Sequence, residues 1–409
     1  MTTIYVAKEG NDNGDGSQAN PFLTITKAVS IANANDTIDT ISIASGTYNE
    51  KNITITNNNL TITSANHSNT IINGTNKGTI FNIGFKVMAT FKNLTLTNGD
   101  SSAGGAISNR AGANLTVKNC TFTGNTADEG GAIWNNGEMT VTGSTFTDNT
   151  ATKAGGGAIF NKGIILTVIG SNFHDNTATN GSGGAIGSIS GRTFNVTDST
   201  FTNNFAYNYG GAIYNEGNSN IKVSTFTGNK ATYGGAICNQ TDFKATVNFN
   251  RIVGNIATTG SAIYNSTGTV NATLNWWGSI NPDFSSLISG EVNTDPWIVL
   301  TISENPYKAP GNPTFTADLL HINTPGAAEL NPANGIVPYT GPANFKDISD
   351  SGLGIEDKNF SNGSATGTLI IGLGDMGELF GGTVTATVDN QKVSIPWSGY
   401  DGRPGKDPN

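Results

Sequence analysis

The sequence predicts an all-β chain built on a parallel β-helix, and three observations carry that prediction. One phrase recurs: Gly104-Gly105-Ala106-Ile107, then Gly-Gly-Ala-Ile beginning at Gly130, Gly156, Gly183, Gly210 and Gly234, then Gly260-Ser261-Ala262-Ile263. The steps between starts are 26, 26, 27, 27, 24 and 26 residues. A second phrase keeps phase with it, pairing Phe122 with Asn125, Phe146 with Asn149, Phe173 with Asn176, Phe201 with Asn204, Phe226 with Asn229 and Ile252 with Asn255. Between the phrases apolar residues alternate with polar ones, as at Leu115/Val117, Met139/Val141, Leu166/Val168 and Phe194/Val196. An alternation of this kind belongs to strands. A fixed period of this size marks a stacked repeat. Units rich in Gly, Thr and Asn do not supply the amphipathic segments of a helical repeat. Their length fits one coil of about three short strands and is too short for a propeller blade.

In such a coil each residue lies over its counterpart one unit earlier, at ~4.8 Å. The sequence then reads as columns. The isoleucines 107, 133, 159, 186, 213, 237 and 263 form one internal column, the Phe residues with Ile252 a second, and Ala127, Ala151, Ala178, Ala206, Ala231 and Ala257 a third. The Asn of the second phrase should form a turn ladder, each amide bonding the next. The paired glycines let the chain turn a corner at positive φ.

Taken in order, residues 1–35 read as a cap, because an open β-helix end exposes unpaired backbone and apolar interior. Ile25, Ala28, Val29 and Ala32 fall at helical spacing after Pro21, giving a short lid helix. The opening residues Tyr5-Val6, Gly10, Asp12, Gly16, Asn20-Pro21-Phe22, Asp36-Thr37-Ile38 and Gly46-Thr47-Tyr48 resemble the start of pectin-lyase-like proteins. That resemblance implies a right-handed coil. Residues 36–297 are assigned to the β-helix, about ten coils in all and ~50 Å long. Its two phrases resemble the repeats of chlamydial polymorphic outer-membrane proteins and of adhesin-like surface proteins of methanogenic archaea. Asn275-Trp276-Trp277-Gly278 is similar to the element that closes the archaeal β-helices. The bulky indoles suit the open end of a stack. Residues 298–400 lose the period; Thr314–Leu320, Asn344-Phe345, Thr368–Ile371, Thr383–Val388 and Gln391–Ile395 read as strands between turns, which suggests a β-sandwich. Asn362–Leu369 with Gly381–Ala386 resembles bacterial Ig-like domains. Residues 401–409 read as a linker.

Composition bounds the partners. Net charge is −9 with 12% charged and 36% hydrophobic residues, and no basic cluster occurs, so nucleic acid is excluded as a partner. No apolar run is long enough to span a bilayer, and no insertion is expected. Thr2–Val6 already reads as a strand rather than a secretory signal, which suggests a piece of a longer exported protein. Cys120 and Cys238 lie between four and five coils apart and should not pair.

Three sets of residues are candidates for chemistry. Asp148 and Asp175 share a repeat position on neighbouring coils, ~5 Å apart, as a carboxylate pair would need. The same slot holds Gly124, Asn203, Gly228 and Gly254 elsewhere, which favours a turn role. Asp12 and Asp15 sit in a run like the first half of a Ca²⁺ loop, but Phe22 stands where the closing Glu belongs. Ca²⁺ is the one cofactor the sequence leaves open. Finally, the residue after each column isoleucine should point outward. That series runs Ser108, Trp134, Phe160, Gly187, Tyr214, Cys238 and Tyr264, and outward aromatics can stack on sugar rings. Cross-strand stabilisation is the competing role of the same side chains. Together with the resemblance, this implies an extracellular, monomeric, cell-surface adhesin-like protein whose partners are glycans or surface proteins of other cells. Trp134, Phe160, Tyr214 and Tyr264 are the expected contact residues. A secreted polysaccharide lyase or glycoside hydrolase is the alternative; no enzyme activity is expected.

Overall fold

In the computed structural model, which describes residues 2–57, 59–64, 69–189, 193–240, 242–305, 313–347, 355, 357–369 and 380–399, the repeat forms a parallel β-solenoid of about nine turns. Each regular coil holds four short strands, not the three expected. One coil runs Asn114–Lys118, Thr121–Thr123, Thr126–Glu129 and Ile133–Asn135 before Glu138–Thr142 starts the next. The extra strand is short, two residues in Thr150–Ala151, and follows the corner made by the Asn of the Phe-x-x-Asn phrase. The stack closes with the two-residue strands Ile288–Ser289 and Val292–Asn293, which add to the ten- and twelve-stranded sheets.

The chain divides into two compact units. The first comprises Met1–Val247, Gly254–Ala272 and Asp283–Asn293. Its parallel sheets include a twelve-stranded, a ten-stranded and a seven-stranded one, so each strand hydrogen-bonds to its counterpart a coil away. Register is like over like: Ile107 pairs with Ile133, Ile133 with Ile159, and so on through Ile237 with Ile263. All seven isoleucines are buried. The rings of Phe122, Phe146, Phe173, Phe201 and Phe226 stack at 4.7, 4.6, 4.9 and 4.9 Å with planes within 4° of parallel. The rung spacing of ~4.8 Å brings the rings into van der Waals contact.

Polar ladders close the corners. The Asn125 backbone N–H and Nδ2 both donate to Asn149 Oδ1, at 3.1 and 3.0 Å, and Nδ2 also donates to the Leu96 carbonyl at 3.1 Å. Asn149 does the same to Asn176, Asn176 to Asn204 and Asn204 to Asn229. Buried amides cost free energy unless fully bonded, and here each is. A second amide ladder runs through Asn109, Asn135 and Asn161 at 2.6 Å per step. A third, of Ser144, Ser171, Ser199 and Ser224, takes the backbone N–H of the preceding coil at 3.1–3.2 Å. Gly156 shows why its corner needs glycine: φ is +63°, and a Cβ would lie 2.1 Å from the Ile159 carbonyl oxygen.

The lid helix is Ile25–Asn33, capped by the Thr24 side chain, with Ile25, Ala28, Val29 and Ala32 buried as their spacing requires. Asn33 ties it to the coil beneath, accepting from Thr56 and Asn57 and donating to the Thr54 carbonyl. The segment before the lid contributes to the sheet itself: Thr2–Val6 pairs with Ile38–Ile43.

The second unit comprises Asn248–Val253, Thr273–Pro282 and Thr294–Asn409. It contains two antiparallel sheets, compatible with an Ig-like part. One joins Ile298–Asn305, Thr314–Ile322 and Ser364–Thr368; the other joins Lys358–Asn359, Pro342–Asp347, Phe380–Val388 and Gln391–Gly399. Asp389 and Asn390, both at positive φ, form the tight hairpin turn that the sequence suggests. Asp389 is held inside this unit by Arg251, whose Nε lies 2.9 Å from Oδ2, and by Trp276 Nε1 at 2.7 Å. Trp276 and Trp277 are both buried. The expected linker 401–409, and residues 370–371 of the expected strand Thr368–Ile371, lie outside the described residues.

Candidate functional site

The outward column of the ten-stranded sheet is the richest surface on the solenoid. Its register runs from Thr54 through Asn82, Ser108, Trp134, Phe160, Gly187, Tyr214 and Cys238 to Tyr264. The structure brings the aromatic candidates together in two groups rather than one open row. Trp134 and Phe160 share Lys162, whose ammonium lies 5.9 and 5.2 Å from the two ring centroids. Lys162 pairs with Glu129 at 3.0 Å, and Trp134 Nε1 donates to the same carboxylate at 3.0 Å. The second group joins Tyr214 and Tyr264 to Tyr209 and Tyr233, which stand immediately before their Gly-Gly corners. Tyr209 and Tyr233 stack at 5.0 Å, and Tyr233 lies 5.2 Å from Tyr264. The Tyr214 hydroxyl donates to Glu216, and burial followed by that carboxylate pushes its pKa up. Gly187 separates the groups, and the Phe160 ring leans over it: a Cβ there would sit 3.1 Å from Phe160 Cδ2.

The column faces outward but is partly covered by its neighbours. Phe160 is 5% exposed, Ser108 9% and Cys238 buried outright, while Trp134, Tyr214 and Tyr264 are half-buried. Flanking side chains such as Glu129, Lys162 and Tyr209 fold over the column. Sequence reasoning missed Tyr209 and Tyr233. The signal was a tyrosine before Gly-Gly in two successive units.

The other candidates are placed as follows. Asp148 and Asp175 are exposed, at φ +54° and +58°. Asn98, Gly124, Asn203, Gly228 and Gly254 occupy the same slot, all at positive φ, so this corner selects Asp, Asn or Gly for its left-handed backbone. Near them His174 lies 2.6 Å from the Thr147 hydroxyl and 3.1 Å from the Asp175 carboxylate. Asp12 is committed to the lid: it accepts from Leu23 N and Thr24 N at 2.9 Å each and from the Thr24 hydroxyl at 2.8 Å. Asp15 accepts from Ser17 N at 2.9 Å, and that bond holds its pKa below the usual carboxylate value. Among the described residues no three His, Cys, Asp or Glu side chains are grouped to share a metal ion. Of the three histidines, His67 lies outside the described residues, while His174 and His321 are described. Both cysteines are free and buried.

Four segments, residues 119–136, 143–162, 198–216 and 223–240, match the Chlamydia polymorphic membrane protein repeat. The matched polymorphic-membrane-protein-type coils carry Trp134, Phe160, Tyr214 and Cys238, so most of the aromatic column lies on them. Solved structures to which the chain is similar include a rhamnogalacturonan lyase, at 12% identity and a TM-score of 0.38, covering 72% of this chain and 87% of that one. Another is pectin methylesterase PemA from Erwinia chrysanthemi, at 15% identity and a TM-score of 0.31, covering 51% and 82%. No curated protein matches the chain. Among the described residues no helix is long and apolar enough to cross a membrane.

Proposed function

We propose that the protein is an extracellular, cell-surface adhesin-like molecule that attaches to glycans or surface proteins of other cells. The match of four of its coils to the polymorphic membrane protein repeat carries this reading. Such repeats suggest a surface-exposed protein. The solenoid supplies a rigid, hydrogen-bonded support on which Trp134, Tyr214 and Tyr264 are held half-exposed, as sugar-stacking side chains need to be. The phrase Asn275-Trp276-Trp277-Gly278 supports an archaeal adhesin-like branch, with an Ig-like domain as spacer and a monomeric chain. Any Ca²⁺ requirement would fall on Asp12 and Asp15 and is checked by chelation.

The test is binding of the whole chain to glycan arrays and to intact cells, with Trp134→Ala and Tyr214→Ala beside the parent. Loss of binding in the variants supports the reading; a parent chain that binds neither cells nor any glycan overturns it. The alternative, a polysaccharide lyase or hydrolase, would place its acid and base on Asp148 and Asp175. Release of uronic acid from pectin-type polymers, abolished by Asp148→Asn, would establish it instead.

A further inference from the structure

At the lid end of the same column two hollows of about 510 and 450 Å³ open on the outer face of the ten-stranded sheet. Asn82, Phe85 and Arg110 line both, so the two hollows adjoin at these side chains along one groove. Its floor is the column already described, Thr54, Asn82, Ser108 and Trp134, one residue per coil. Phe85 projects beside it from a turn whose next residue, Lys86, has φ +57°, and is 64% exposed. The Lys86 ammonium lies 5.2 Å from the centroid of that ring, so the turn sets an exposed apolar face and a cation beside the hollows, a surface open to a ligand.

The electrostatics narrow what that is. The chain carries a net charge of −9, yet no Asp or Glu lines either hollow. Arg110 is exposed, and among the described residues its guanidinium has no ion pair or hydrogen bond, unlike Lys153, Lys162 and Arg251. A free guanidinium between amide and hydroxyl groups is the fork that takes a carboxylate through two parallel N–H···O bonds. The Asn82 and Asn136 amides offer donors and acceptors for ring hydroxyls, and Phe85 and Trp134 offer apolar faces for ring C–H groups.

We propose that this groove binds a carboxylate-bearing glycan, with Arg110 taking the carboxylate and Trp134 and Phe85 flanking the sugar rings. The proposal rests on the adhesin reading and names the site and ligand class within it. The shared chemistry is a carboxylate on a pyranose ring, which both uronic and sialic acids supply.

The experiment uses the whole chain against immobilised polygalacturonate, its methyl ester, sialyllactose and lactose, with sulfated dextran as competitor. The parent should prefer at least one acid to its neutral partner by ~10-fold or more, the ratio expected of one charge-assisted bond. The responding arm identifies the source. Arg110→Gln should erase the preference, Arg110→Lys should keep part of it, and Trp134→Ala should weaken acid and neutral forms together. Because Arg110 is exposed, melts of the two Arg110 variants should match the parent. The proposal is overturned if neither acid is preferred, if Arg110→Gln keeps the preference, or if sulfated dextran competes as well as the acid. Should Arg110→Gln still hold whole cells as the parent does, the groove fails and surface attachment stands; should the parent hold none, the adhesin reading itself falls.

Discussion

Phe173 sits fully buried between Phe146 at 4.6 Å and Phe201 at 4.9 Å, and its removal leaves a hole that neither neighbour can fill without leaving its own coil. Phe173→Ala should cost ~3–5 kcal/mol, read as a lower denaturant midpoint. Asn149 is more demanding for its size. It accepts from the backbone and side chain of Asn125 and donates to Phe122 and Asn176, so Asn149→Ala strands several buried polar groups. At ~1–3 kcal/mol for an orphaned group, the loss should rival that of the larger Phe173 in the same melt. The thiols titrate late. Burial pushes Cys120 up to about 12 and raises Cys238 as well. Native protein should therefore resist iodoacetamide at pH 8, and both thiols should react once it is unfolded. Between the ordinary thiol value of 9.0 and about 12 the folded chain holds the proton that the unfolded chain has released, so stability should fall as pH rises across that window.

At the scale of the element, strand and corner divide the labour. Strands supply alternate burial, and corners supply positive φ and amide ladders. The columns of Ile, Phe, Ala and corner Asn were legible because a period turns one coil's pattern into a prediction for every other, although Ala257, the last of its column, is only half-buried. The fourth strand was not legible, since it runs only two to four residues and offers a single recurring apolar position, the Ala. The ladder of Asn109, Asn135 and Asn161 was also hidden. Alternation turns that Asn inward, where an amide alone would be costly, and only the stacked register supplies it with an amide partner. The turn role of Asp148 and Asp175 was visible from Gly and Asn in their slot, and their backbone angles agree with it. The groove was illegible for a different reason. Asn82, Phe85 and Arg110 belong to the less regular early coils or to a turn, where no repeat marks a position as special.

At the scale of the whole molecule, a solenoid coil contacts mainly its neighbours, so stability adds along the stack. Deleting residues 131–156 removes one full period of 26, and Gly130 then meets Gly157 with the Gly-Gly-Ala-Ile phrase intact. That shortened chain should fold, with a retained β-sheet circular dichroism spectrum. Deleting residues 131–143 cuts within a coil, sets unlike columns over one another, and should yield aggregated protein. Recovery of both as equally stable monomers would contradict additive stacking in register.

The inter-coil hydrogen bonds point along the stacking direction, which matters when the two ends are pulled apart. Tension then loads a few short strands at a time instead of shearing long ones. A coil that lets go frees 26 residues, or ~90 Å of slack, while the next coil still holds. A solenoid under load would yield in a series of small steps, each reversible when the load drops, in place of one sudden break.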